Sequence, residues 1–68
     1  MKVVLYTIDC PNCIRLENKL KDRNIQFVKV KDIDTFKAKG YGNAHFPILE
    51  VDGVEMGFKT AMQWANNF

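Results

Sequence analysis

The apolar residues of this chain change their period several times, and each change marks an element. Val3-Val4-Leu5-Tyr6-Thr7-Ile8 is an almost unbroken apolar, β-branched run of strand length, the pattern of a strand covered on both faces. From Pro11 to Arg23 the spacing turns helical: Cys13, Leu16 and Leu20 fall at i, i+3 and i+7 and draw one buried stripe, with Ile14 beside it. Pro11 suits the opening helical position because its φ is already set and it has no N–H to leave unpaired, which puts Cys10 at the N-cap. Glu17 and Lys21 form an i,i+4 pair in the favourable order, and Asn24 can take the left-handed position that ends the helix. Ile25-Gln26-Phe27-Val28-Lys29-Val30 then predicts a second strand.

Strand, crossover helix and strand make a parallel unit, right-handed by rule. Such a unit sets the residues that follow the first strand, here Cys10 to Cys13, at the carboxyl edge of the sheet, where open α/β sheets carry their sites. Beyond it, Asp34 is placed to cap a short helix through Lys39 that Gly40, Gly42 and Asn43 then break, with Phe36 as its anchor to the sheet. Pro47 opens a third strand, Ile48-Leu49-Glu50-Val51. Asp52-Gly53 is a strong two-residue turn signal, so Val54-Glu55-Met56 should return antiparallel. Thr60 and Gln63 have capping-box spacing, and Ala61, Trp64, Ala65 and Phe68 make one apolar helical face.

A chain of 68 residues is a single domain, residues 1–68, and it contains no linker, low-complexity tract or internal repeat. A domain this small buries only about 60% of the surface its unfolded chain exposes, so its core must be efficient. The 47% hydrophobic content supplies the material. Net charge +2 with 26% charged residues is ordinary, and Lys19, Lys21, Arg23, Lys29, Lys31, Lys37 and Lys39 are interspersed with acids as on solvated faces. No basic cluster interleaves with aromatics, which argues against nucleic acid as a partner. Met1-Lys2 leads directly into a strand and no apolar run approaches bilayer length, so the expectation is a soluble, cytoplasmic monomer with no membrane partner.

Cys10-Pro11-Asn12-Cys13 holds the chain's two cysteines, one helical turn apart. As a structural crosslink the pair is poor, because closing so short a loop contributes about 2 kcal/mol before strain. In a reducing compartment a lone C-x-x-C beside a strand–helix unit points to redox or metal chemistry instead. At the N-cap the Cys10 sulfur faces unpaired backbone N–H groups and the positive end of the helix dipole, both of which favour thiolate over thiol. Cys13, one turn on, can attack a mixed disulfide formed at Cys10 and release the partner as a free thiol. Zinc fits less well, since it generally takes four ligands and this chain adds only His45 and carboxylates. His45 reads as a polar loop residue, because the exchange needs a thiolate and the helix terminus already favours one.

The order of elements, taken with three motifs, resembles the thioredoxin fold in the minimal form of the glutaredoxin family, over essentially the whole chain. The motifs are Tyr6-Thr7-Ile8-Asp9-Cys10-Pro11-Asn12-Cys13, Phe46-Pro47, and Asp52-Gly53 followed by Gly57-Phe58. The resemblance implies an α/β fold in the order β-α-β-α-β-β-α, with a four-stranded mixed sheet and helices on both faces. It implies a cis Pro47 packed against the disulfide, and backbone groups of Phe46 that pair with a substrate strand. A thiol–disulfide oxidoreductase is then expected, reducing protein or glutathione mixed disulfides. Cys10 and Cys13 would be catalytic, and Phe46, Pro47, Gly57, Phe58, Lys59 and Thr60 would bind substrate. Tyr6, Asp9, Pro11 and Asn12 would form the active-site environment. No tightly bound cofactor and no metal is implied. Glutathione is a candidate co-substrate, disulfide-bearing proteins are the partners, and glutathione or thioredoxin reductase is the electron source.

The chain departs from the family at informative places. Glutathione-using members usually carry a lysine a few residues before the first cysteine, where this chain has Thr7, Ile8 and Asp9. They also carry a Gly-Gly-acidic motif, where it has Gly57-Phe58-Lys59-Thr60. Gly-Phe followed by a basic residue is similar instead to the glutaredoxin-like hydrogen donors of ribonucleotide reductase, which draw electrons from thioredoxin reductase but usually lack proline after the first cysteine. Both subfamilies stay open, as does a module of another class that holds a metal or iron–sulfur cluster between Cys10 residues of two chains. Asp9 is expected as a carboxylate of like charge beside the Cys10 thiolate, opposing its formation. Tyr6 and Tyr41 are expected to pack, Trp64 and Phe68 to lie in the core, and Phe58 to be either core or a rim contact for substrate.

Overall fold

A computed structural model describes residues 1–68. Its elements are β1 (Val3–Tyr6), α1 (Pro11–Asp22), β2 (Val28–Val30), α2 (Ile33–Ala38), β3 (Ile48–Val51), β4 (Val54–Met56) and α3 (Phe58–Asn66). The strands form one mixed sheet in the order β2-β1-β3-β4, with β1 parallel to β2, antiparallel to β3, and β3 joined to β4 as a hairpin. This is the minimal thioredoxin-like α/β topology.

Alternation along the central strands divides the core between the two faces of the sheet. Val3 and Leu5 lie across from Val51 and Leu49 and face α1 and α3, where Leu16, Leu20, Ala61 and Ala65 pack against them. Val4 and Tyr6, with Ile48, point the other way onto Phe36 of α2 and Tyr41. Both faces of β1 are therefore covered, which is why its sequence reads as a continuous apolar run. Leu5, Leu16, Leu20 and Leu49 are wholly buried, and each contributes about 1.5–3 kcal/mol relative to exposure.

Several element ends differ from the expectation. β1 stops at Tyr6 because the chain turns there: the Thr7 N–H still reaches the Val30 carbonyl at 3.0 Å, but the Thr7 hydroxyl accepts the Asp9 N–H at 3.0 Å and Asp9 takes φ 59°. Ile8 is thereby pushed outward and is 56% exposed. Ile14 is likewise turned to solvent rather than set beside the buried stripe. β2 begins at Val28, not Ile25, because Ile25 still belongs to the end of α1. Its N–H bonds the Leu20 carbonyl at 2.9 Å while that of Asn24 bonds Lys21 at 3.0 Å, with Asn24 at φ 57°. These are the two bonds of a Schellman cap.

α2 is capped by Asp32 instead of Asp34. The Asp32 carboxylate accepts the Asp34 N–H at 3.3 Å and the Thr35 hydroxyl at 2.7 Å, so Asp34 already lies in the first turn. α3 opens at Phe58 behind Gly57 and has no side-chain cap, which makes Thr60 and Gln63 interior helix positions instead of a capping box. The early start lets Phe58 pack against the main core. Phe68 falls beyond the last turn and outside the core; it is exposed, with its ring 5.3 Å from the half-buried Trp64. The Asp52-Gly53 turn forms as expected, with φ values of 49° and 87° that suit a type I′ hairpin.

The connection from α2 to β3 has no regular structure, but it is tied to the sheet by charge. Glu50 and Glu55 lie directly opposite each other on the β3–β4 ladder, an arrangement that is unfavourable for like charges. Lys39 meets Glu50 at 3.4 Å and the Tyr41 hydroxyl donates to Glu55. Both partners come from the segment after α2, so the two carboxylates hold that segment down. No helix is long and apolar enough to cross a membrane.

Candidate functional site

Cys10 and Cys13 form a disulfide, Cα–Cα 4.9 Å, where the end of β1 meets the first turn of α1. Local chemistry builds this junction. Cys10 is extended at the N-cap, Pro11 opens the helix, and the Ile14 N–H closes the first helical bond onto the Cys10 carbonyl at 2.9 Å. The Cys13 N–H, which has no partner within the helix, donates to Cys10 Sγ at 3.1 Å. A sulfur so placed is favoured as thiolate when the pair is reduced. The two sulfurs are unequal: Cys13 is wholly buried on the Leu16–Leu20 stripe, whereas Cys10 is half-buried. Pro11 and Asn12 are exposed between them.

One side of the disulfide is closed by the start of β3, because antiparallel pairing sets Ile48 against Tyr6. The Phe46–Pro47 peptide is cis, Pro47 is wholly buried, and the Phe46 carbonyl oxygen lies 3.7 Å from Cys10 Sγ. The Phe46 ring rests on Phe36 at 4.7 Å and meets Tyr41 at 6.4 Å, and Tyr41 in turn stands edge-on to Tyr6 at 5.5 Å. Tyr6 thus reaches the site through an aromatic cluster. The Lys39 ammonium lies 5.2 Å over the Tyr6 ring and 5.8 Å over that of Tyr41. Its interaction with Tyr6, and then with Glu50, holds its pKa above the usual lysine value.

The other side is closed by β2, which gives Asp9 partners that the sequence did not reveal. Parallel pairing of Tyr6 with Val30 carries Lys29 and Lys31 to the turn that holds Asp9. Lys31 forms an ion pair with Asp9 Oδ2, and Lys29 lies 3.6 Å from Asp9 Oδ1. Lys29 also meets Glu17 at 3.1 Å, and Glu17 pairs with Lys21 at 3.2 Å. The result is an alternating row, Lys31–Asp9–Lys29–Glu17–Lys21. Hydrogen bonding to Lys31 holds the Asp9 carboxyl below its usual range, reinforced by the charges of Lys31 and Lys29 against some desolvation. Burial pushes the Glu17 carboxyl up, but the hydrogen bonds from Lys29 and Lys21 prevail and its pKa is lowered. Asp9 is therefore not an isolated charge beside Cys10. Lys29 and Lys31 escaped the sequence reading because they looked like ordinary solvated lysines. The available signal was that Lys29, on β2, and Lys31, just past its end, stand two apart in near-extended chain, a spacing that sets side chains on one face.

The remaining expected residues are more distant. The Leu49–Met56 register puts Gly57, Phe58, Lys59 and Thr60 at the same edge of the sheet, two strands over from Cys10. Phe58 packs into the core, while Lys59 and Thr60 are exposed. No hydrogen bond or ion pair joins these four residues to the cysteines. His45 is exposed in the loop before Phe46. Comparison of the chain with protein-family models, curated proteins and solved structures finds no match.

Proposed function

We propose that the protein is a thiol–disulfide oxidoreductase of the glutaredoxin-like kind, acting in the cytoplasm on protein or glutathione mixed disulfides. The observation that supports this most is the inequality of the two sulfurs on one helix turn. Cys10 is accessible and receives a backbone N–H, and Cys13 is covered behind it. In the reduced protein the Cys10 thiolate attacks one sulfur of the substrate disulfide. That S–S bond breaks, its other sulfur leaves as a thiolate and takes up a proton, and a mixed disulfide remains on Cys10. Cys13 then loses its proton and attacks Cys10 Sγ, which expels the second substrate sulfur. Two electrons have moved to the substrate, and the protein is left with the Cys10–Cys13 disulfide. The backbone of Phe46, beside the reacting sulfur, and the adjacent Pro47 are the surface against which a partner chain would lie.

A coupled reduction assay tests the reading and identifies the electron source. A mixed-disulfide substrate is supplied with glutathione and its reductase in one arm, and with thioredoxin and its reductase in the other. NADPH consumption that depends on the protein and is lost in Cys10→Ser is the expected result with at least one source. Equal rates with and without the protein in both arms would overturn it.

A further inference from the structure

We infer that Lys31, supported by Lys29, is a specificity-determining subsite for a carboxylate that flanks the disulfide of a protein substrate, and that Asp9 occupies this subsite in the free protein. The inference rests on the oxidoreductase reading and extends it to a substrate class. Position is the first support. β1 lies between β2 and β3 in the sheet, so Phe46 flanks Cys10 on one side and the Asp9–Lys31 pair stands on the other. A peptide that lies against Phe46 and presents a sulfur to Cys10 would, if it crosses β1, reach the side where the lysines stand.

The balance of exposed charge is the second support. The row Lys31–Asp9–Lys29–Glu17–Lys21 holds three cations and two anions. Of its anions Glu17 is largely covered, its side chain 13% exposed, and Asp9 is 42% exposed, against 54% for Lys31, 63% for Lys21 and 36% for Lys29. The acid that follows Lys31, Asp32, is turned into the N-terminus of α2 and bonds Asp34 and Thr35 there. An approaching carboxylate therefore meets more positive than negative surface. Exchangeability is the third support. Asp9 and Lys31 are both substantially exposed, and an exposed pair of this kind contributes little to stability, so a substrate carboxylate can take the place of Asp9 at low cost.

The test uses fully reduced protein in a single turnover, with no external reductant, so that no reductase influences the result. Three cyclic peptides with one disulfide differ only in carrying Glu, Gln or Lys next to one cysteine. Each rate is divided by the rate at which a small neutral dithiol reduces the same peptide, which removes the intrinsic reactivity of the disulfide. The Glu peptide should be reduced several-fold faster than the Gln peptide, and the Lys peptide slower than both, with the spread narrowing as salt rises. Lys31→Glu should reverse the order, Lys31→Met should flatten it, and Asp9→Asn should widen it by emptying the subsite. Equal normalised rates in the wild type, or an order unchanged in Lys31→Glu, would overturn the inference while leaving the oxidoreductase reading intact. Failure to reduce even the Gln peptide would overturn both.

Discussion

The Sγ of Cys10 lies 3.7 Å from the carbonyl oxygen of Phe46, across 36 residues of chain. The contact exists because β3 runs antiparallel to β1, so the residues that precede β3 meet those that follow β1. It places an unoccupied backbone acceptor beside the sulfur that, on the proposed function, bonds to substrate. Pro47 has no N–H to compete at the next position.

On the proposed function, the burial of Cys13 behind Cys10 should divide their labour. Cys13→Ser should accumulate a mixed disulfide at Cys10 when given a disulfide substrate, and Cys10→Ser should form none; intact-mass spectrometry reads both. In the reduced wild type, iodoacetamide should modify Cys10 well before Cys13. The reverse order would exchange the two roles.

Asp9 and Lys31 should act on a Cys10 thiolate in opposite directions, as their charges require. Asp9→Asn should lower the midpoint of Cys10 alkylation by a few tenths of a pH unit, because Lys31 and Lys29 lose their shared counter-charge. Lys31→Met should raise it by a similar amount. Both shifts should shrink in high salt, since the groups are exposed. The lowered pKa of Asp9 also carries a stability consequence. Its ion-pair contribution is fully present above the ordinary aspartate value of 3.8 and is lost as pH falls through the lower, folded value. Acid unfolding of Asp9→Asn should lack that contribution. Identical alkylation midpoints at low salt would show that the pair does not act on the sulfur.

Tyr41 ties the segment that carries Phe46 to β4 through Glu55. Tyr41→Phe removes this bond and leaves the carboxylates of Glu50 and Glu55 opposed with only Lys39 between them and repulsion. A loss of about 1 kcal/mol in urea unfolding is expected, together with a higher KM for disulfide substrates. Cys10 alkylation should be unchanged, because the helix N-terminus is not disturbed. An unaltered KM would show that the segment holds its place without Tyr41.

Leu20 and Ile14 are aliphatic residues of similar size on the same helix, and they present different faces. Leu20 is wholly buried and Ile14 is 47% exposed. Leu20→Ala should cost about 2–5 kcal/mol, and Ile14→Ala less than about 0.5 kcal/mol. Comparable urea midpoints for the two variants would contradict the packing of α1 described above.

Much of this protein is decided within a few residues of chain, and that part is legible in the sequence. Pro11 after Cys10, Asn24 after α1 and Asp52-Gly53 between two apolar runs each act through φ preferences and hydrogen bonds to near neighbours. The order of elements and the C-x-x-C at a helix start follow from them. Sequence reading failed where neighbours along the chain leave several outcomes equally good. Asp32 and Asp34 are both acceptable caps, and Ile14 and Phe68 have helical spacing that fits the core until the sheet is in place. The pairing of Asp9 with Lys31, and of Tyr41 with Glu55, arises only when β1 takes β2 as a parallel neighbour and β3 folds back on β4. Strand register sets which side chains meet, and register is a property of the assembled sheet. Propensity and periodicity could therefore place the cysteines, but only the tertiary structure could set Phe46 and Pro47 on one side of them and the Asp9–Lys31 pair on the other.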